Sequence, residues 1–362
     1  MTLKPRFMAT SIGSTPCTDP LKACQLILEN MPEAPVVASL PRLSFKEGLS
    51  LYRDGLPCFV VNEETRKWYF DTSNRVDEEL TQFYEHYLAD DLDYFGMKPD
   101  DSVGMHTMFR VLKENPDPQR KIVKVGLRGP LSCGLSLTDE NLRPIFYNET
   151  FRDVLVKALV MKGKWLLKKV SEAAPGVATL FQIGEPQMAL YGSAFTNISR
   201  EDVLKCINEL IEGVDSLTVI HCCANTDWPV LMDTRTDAIS FDAYQFAESL
   251  ALYPHEVEAF LKRGAMLAWG IVPSMDEKLA DETLESLTDR LERGLGLLAE
   301  RGVGKEALLE SAFVTPSCST ASMSIPAAER AHTLTRDISL TMRHRYFGPQ
   351  GRKESNVANQ LY

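Results

Sequence analysis

Eight short segments rich in β-branched or aromatic residues recur along the chain, and most lead into a run with helical periodicity. The segments are Phe7 to Ile12, Val36 to Leu40, Ile122 to Leu127, Ala178 to Ile183, Leu217 to Cys222, Ala238 to Phe241, Met266 to Val272 and Ala312 to Thr315. The helical runs are Pro20 to Met31, Glu149 to Ser171, Arg200 to Glu212, Asp227 to Thr234, Ala247 to Arg263, Asp281 to Arg301 and Ala327 to Arg343. A helix between two strands returns the chain to the same end of the sheet, so the strands pair in parallel. Eight strands of this kind point to closure, and the expected fold is α/β, a single (β/α)8 TIM barrel. An open doubly wound sheet uses the same alternation. Its dinucleotide-binding form places Gly-x-Gly-x-x-Gly after the first strand, where this chain has Ile12-Gly-Ser-Thr-Pro.

Residues 41 to 121 interrupt the alternation between the second and third strands. Within them a hairpin is expected over Cys58 to Tyr69 around Glu63-Glu-Thr-Arg, a helix over Val76 to Asp90, and a turn at Asn115-Pro-Asp-Pro. The interruption reads as an insertion over the barrel mouth. One domain over residues 1–345 is therefore expected, with 346–362 as a tail that contains Gly348-Pro-Gln-Gly-Arg-Lys-Glu-Ser.

A net charge of −11, with no long Lys/Arg block, disfavours nucleic acid as a partner. The start, Met1-Thr-Leu-Lys-Pro-Arg-Phe-Met, has no apolar stretch of signal-peptide length, and no later run reaches the roughly 20 apolar residues of a membrane span. A cytoplasmic protein is expected, and its eight cysteines are expected to be reduced. Cys24, Cys58, Cys133 and Cys206 lack metal-like spacing and read as small buried hydrophobes.

The barrel expectation directs attention to the carboxyl ends of the strands, where the βα loops build the active sites of such folds. Those exits read Gly184-Glu185-Pro186, His221-Cys222-Cys223, Asp242-Ala-Tyr244 and Pro316-Ser-Cys318. Alternate residues of a strand share a face, so His221 and Cys223 can grip one ion that Cys318 completes from another strand, with Asp242 as a possible fourth ligand. Cys222 then faces the helices. Asp227 suits either a helix cap or a substrate contact, and Arg128 suits either an anionic substrate group or an ion pair with Glu185.

With these motifs in this order, the sequence resembles the catalytic domain of cobalamin-independent methionine synthase and its relatives in the uroporphyrinogen decarboxylase-like superfamily. Ala9-Thr-Ser-Ile-Gly-Ser-Thr-Pro16 is similar to that family's Thr-x-Ile-Gly-Ser-x-Pro, Phe181-Gln-Ile-Gly-Glu-Pro186 to its Ile-Gln-Ile-Asp-Glu-Pro, and Val314-Thr-Pro-Ser-Cys318 to its Val-Asn-Pro-Asp-Cys. The resemblance runs over residues 7 to 345 and is sparse outside the strand ends. It implies zinc held by His221, Cys223 and Cys318, with Asp242 where the family carries a glutamate.

The activity implied is methyl transfer to a thiol, most plainly homocysteine to give methionine, with methylcorrinoid or methyltetrahydrofolate as donor and a corrinoid protein as a candidate partner. The backbone of Ile12, Gly13 and Ser14 together with Glu185 is expected to hold the thiol, with Arg128 a further substrate contact and Glu185 and Asp242 the candidate catalytic carboxylates. Gly184 stands where the family has an aspartate for the amino group of homocysteine. The amino-terminal half used by full-length synthases with their folate donor has no counterpart here, and Ala268-Trp-Gly-Ile-Val-Pro273 is closer to methyltransferases that use a corrinoid. The alternative readings are a metal-free tetrapyrrole decarboxylase and a non-catalytic protein that binds corrinoid or metal.

Overall fold

The computed structural model describes residues 3–348, apart from 45, 46, 48, 50, 51, 63 and 195. Its strands are β1 (Met8–Ala9), β2 (Phe59–Asn62), β3 (Lys67–Phe70), β4 (Ile122–Arg128), β5 (Ala178–Gly184), β6 (Leu217–Cys222), β7 (Ala238–Phe241), β8 (Met266–Val272) and β9 (Ala312–Pro316). Seven of them form one parallel sheet in the order β1-β9-β8-β7-β6-β5-β4, while β2 and β3 make an antiparallel hairpin. Consecutive strands β4 to β9 lie side by side, as parallel strands joined by helices do.

The sheet differs from the expected eight-stranded ring at its second position. Val36 to Leu40 forms no ladder strand. It makes one parallel bridge from Val36 to Lys124 of β4 and another from Ser39 to Ser14, just beyond β1. Val37 N donates to Lys124 O, Lys124 N to Pro35 O, and Ser39 N to Gly13 O. The sheet thus curls until both edges touch one short segment. Pro35 and Pro41 flank that segment and lack the N–H groups a longer ladder needs.

The helices pack outside the sheet because their apolar stripes match its outer face. Glu149–Ala173 is capped where Asn148 accepts from Phe151 N, and it buries Phe151, Val154, Leu155, Leu159 and Leu166. The expected helix over Ala247 to Arg263 is instead two, Ala243–Leu250 and Pro254–Lys262. Pro254 cannot donate to the preceding turn and is favoured at a first helical position. The last helix runs Ile325–Phe347, beyond the expected end at Arg343 and across the 345/346 boundary. The tail lies outside the described residues after Gly348. In the insertion, Glu63 of the expected turn is likewise outside them, whereas the helix Val76–Leu88 matches the expectation within two residues at its end.

Inside the curl, side chains stack in layers set by the two-residue period of each strand. Met8, Ile122, Leu180, Val219, Ala238, Met266 and Phe313 form an apolar floor together with Ala34 and Ala268. Two residues further along come Thr10, Lys124, Gln182, His221, Ser240 and Thr315, a polar layer. Above it lies the carboxyl rim with Arg128, Gly184, Cys223, Asp242 and Ser317. The interior of the curl therefore grades from apolar to polar toward the carboxyl ends of the strands.

Lys124 is the costliest member of the polar layer. It is fully buried, donates from Nζ to Ser11 O at 2.7 Å, and burial pushes its pKa from 10.5 down to about 7. The folded chain then binds fewer protons than the unfolded one between about pH 7 and 10.5, so stability rises with pH through that window and falls as pH drops toward 7. Lys124→Met is expected to flatten this slope, with a gain on the order of 2–4 kcal/mol at pH 6.5 relative to pH 10. Urea melts of both proteins at the two pH values check it; parallel slopes would refute it.

Candidate metal centre

His221 is the last inward-facing residue of β6, paired in register with Gly184 of β5 and Ser240 of β7. That register puts Ser240 Oγ 3.0 Å from His221 Nδ1, which fixes the plane of the ring. Its other nitrogen, Nε2, is buried and has no hydrogen-bond partner among the described residues. A buried ring nitrogen that bonds to nothing costs about 1–3 kcal/mol, a cost that a bound ion would offset.

The missing neighbour is supplied by two thiols. The ligand atoms of His221, Cys223 and Cys318 all lie within 4.8 Å of one another, the one group of this kind among the described residues. Cys318 is brought in by the exit of β9. Ser317 N donates to Val272 O at 2.7 Å, and Ser317 Oγ lies 3.1 Å from Ser274 Oγ. The Cys318 thiol, with the nearby imidazole as a second cause, draws Cys223 from 9.0 down to about 4, whereas Cys318 is raised as the proton-holding partner and by burial. One nitrogen and two sulfurs, one of them ready as thiolate, suit a zinc-like ion.

Asp242, the expected possible fourth ligand, lies outside the tight trio but borders the same small cavity as Cys223 and Cys318. Its carboxylate accepts from Gln245 N at 3.0 Å and from the Gln245 side chain, capping Ala243–Leu250. A cap one residue beyond β7 satisfies two donors locally, which competes with reaching across the rim. Burial raises its pKa.

Glu185 is equally engaged. Its two oxygens accept from Leu131 N at 3.1 Å and Ser132 N at 2.7 Å, it is wholly buried, and burial pushes its pKa up to about 7. It holds the start of the helix Pro130–Ser136 against β5, and the alternative Arg128–Glu185 ion pair is not formed. Arg128 stands exposed at the rim. Cys222 is fully buried with its thiol toward Ala224 O, and Asp227 occupies a cap position without a side-chain cap bond.

The candidate trio lies between two cavities. His221 borders a pocket of about 600 Å³ with Ile12, Gly13, Ser14, Arg128 and Gly184. Cys223 and Cys318 border a second of about 170 Å³ with Asp242. At the larger pocket the carbonyls of Ser11, Ile12, Gly13 and Ser14 are taken by Lys124 Nζ, Gln182 Nε2, Ser39 N and Thr320 N respectively. The N–H groups of Ile12, Gly13 and Ser14 have no acceptor among the described residues. Gly13, at φ 121°, makes this turn possible.

No family model and no curated protein matches this chain. Among solved structures, it matches a B12-independent methionine synthase from Shewanella sp. W3-18-1 in complex with selenomethionine, at a TM-score of 0.45 and 18% identity, over 66% of this chain and 67% of that one.

Several parts of the site escape a reading of the sequence. Ser240, Ser317 and Ser274 carry no motif, and they matter only through pairing between strands. Lys124 had a usable signal, a lysine in an otherwise apolar strand two residues below Gly126. Tyr52 and Trp68, from residues 41 to 121, also line the larger pocket. Among the described residues no helix is long and apolar enough to cross a membrane.

Proposed function

We propose that this chain is a zinc-dependent methyltransferase that moves a methyl group onto a thiol. The observation that carries the reading is the unpartnered Nε2 of His221 grouped with two cysteine sulfurs at the edge of a ligand-sized pocket. A zinc ion held by His221, Cys223 and Cys318 would leave a position open and keep an acceptor's sulfur as thiolate near neutral pH. Tetrapyrrole decarboxylation has no use for such a ligand set.

The residues divide the remaining work. Ser240 orients the imidazole, and Ser274 with Ser317 fixes the approach of Cys318. The N–H groups of Ile12 to Ser14 and the Arg128 guanidinium offer anionic groups of the substrates their partners. Glu185 acts through the start of the helix Pro130–Ser136, which follows Arg128 after Gly129. In the transfer, a sulfur lone pair forms the new S–CH3 bond as the donor's bond to methyl breaks, its electron pair remaining on the donor.

Methylcorrinoid, free or on a partner protein, and methyltetrahydrofolate are the candidate donors. Homocysteine, the acceptor implied by the resemblance, is the reference thiol. We place the protein in the cytoplasm, with its chemistry in one domain. Protein loaded with one equivalent of zinc is expected to turn methylcobalamin or methyltetrahydrofolate plus a thiol into the methyl thioether, read by mass spectrometry. A panel of thiols yielding no thioether from either donor would leave a metal-binding accessory role instead.

A further inference from the structure

The larger pocket has a polarity of its own. Its only charged lining residue among those described is Arg128, and the carboxylates nearest its rim in sequence are committed elsewhere, Glu185 to Leu131 and Ser132 and Asp242 to Gln245. Register puts Arg128 beside Gly184 and Gly184 beside His221, on three adjacent strands. Adjacent strands lie about 4.8 Å apart, so the guanidinium and the metal-ligand histidine stem from backbones about 10 Å apart with no side chain between them. A short thiol with its sulfur at the His221 side would lay its carbon chain over Gly184 and its anionic end toward Arg128.

An ammonium group on that carbon chain would meet no counter-charge. Gln182 Oε1 is buried and unpartnered, but a neutral oxygen accepts a hydrogen bond without balancing a charge. We infer that the acceptor is a short anionic thiol without an amino group, a mercapto acid, and that the bare backbone at Gly184 is what selects it. The inference rests on the thiol-methylation reading and narrows its substrate.

Gly184 is open to test because space is left there. A Cβ would meet Leu127 O at 3.5 Å and Arg128 Cα at 3.8 Å, both ordinary contacts. Gly184→Asp therefore adds a carboxylate where an ammonium would lie, and Gly184→Asn adds the same shape without charge.

The experiment compares homocysteine with 4-mercaptobutanoate, which has the same skeleton and lacks the amino group. Cobalt(II)-substituted protein is titrated with each thiol, following the thiolate-to-cobalt charge-transfer band, and methyl transfer from methylcobalamin is measured alongside. The wild type is expected to bind 4-mercaptobutanoate about 10- to 100-fold more tightly, the cost of leaving a charge unpaired. Gly184→Asp is expected to reverse or abolish that ratio, and Gly184→Asn to keep it. Homocysteine binding as well as or better than 4-mercaptobutanoate to the wild type would overturn the inference and leave thiol methylation standing. If neither thiol perturbs the cobalt band and neither is methylated, both fail. Should Gly184→Asp not fold, the wild-type ratio alone decides.

Discussion

Cys223→Ser and Cys318→Ser are each expected to lose zinc while staying folded. A four-ligand zinc site in a small peptide is worth roughly 10–16 kcal/mol, so one ligand's share is about 3 kcal/mol, or about 100-fold in affinity. With only three protein ligands in the cluster, the remaining pair should hold zinc too weakly to survive gel filtration. Both cysteines are partly exposed and stand beyond the last ladder residues of β6 and β9, so the metal-free fold should hardly change. Metal content by mass spectrometry, with melting curves of the same samples recorded in chelator, measures the two effects separately. Full zinc content in either variant would remove that cysteine from the ligand set. Retention in both would remove the basis of the proposed chemistry.

Gly270→Ala should damage the same centre without touching a ligand. A Cβ at Gly270 would fall 2.4 Å from Phe241 O and 2.8 Å from Ser317 Cα, both backbone atoms that cannot swing aside. The residue stands where the β8–β9 register slips, between Gly270 opposite Thr315 and Val272 opposite Pro316. To admit one methyl group, β9 must move outward at the place where Ser317 and then Cys318 leave it. Overpacking of this kind costs about 1–3 kcal/mol, and a shift of Ser317 carries Cys318 away from Cys223. Gly270→Ala is thus expected to melt several degrees lower and to bind zinc at least tenfold more weakly. Gly184→Ala, where a Cβ meets nothing closer than 3.5 Å, is the control and should do neither. Equal zinc affinity in Gly270→Ala and Gly184→Ala would refute the coupling.

Together these variants separate two contributions to the centre. The cysteine changes remove donor atoms, while the glycine change removes only their placement. Ser240 belongs with the second group, since its contact with Nδ1 leaves the other imidazole nitrogen free to face the thiols.

Much of this arrangement is legible in the sequence, and for one reason. Side chains alternate along a strand, so His221 and Cys223 share a face whatever the strand pairs with. The succession of apolar segments and helical runs places that strand within a parallel sheet, and its carboxyl end on the rim that carries the candidate site. Six of the expected strands begin and end within one residue of the observed ones, from Ile122–Arg128 to Ala312–Pro316. Each of these depends on local pattern alone. Val36 to Leu40 and Ala247 to Arg263 depart from expectation where prolines at their ends or middle override an otherwise regular pattern.

What only the tertiary structure decided depends on contacts between residues far apart in the chain. Glu185 has the right chemistry at the right strand end, yet both its oxygens are taken by Leu131 N and Ser132 N, more than fifty residues earlier in the chain. The neighbours of His221 across the sheet, Ser240 on one side and Gly184 then Arg128 on the other, follow from pairing register. Register is a relation between strands, set by how whole faces pack, and no single strand encodes it. Alternation within one strand made two candidate ligands visible at once; the approach of Cys318 to them and the pocket beside them, lined by Arg128 and no carboxylate among the described residues, arise only when the strands stand side by side.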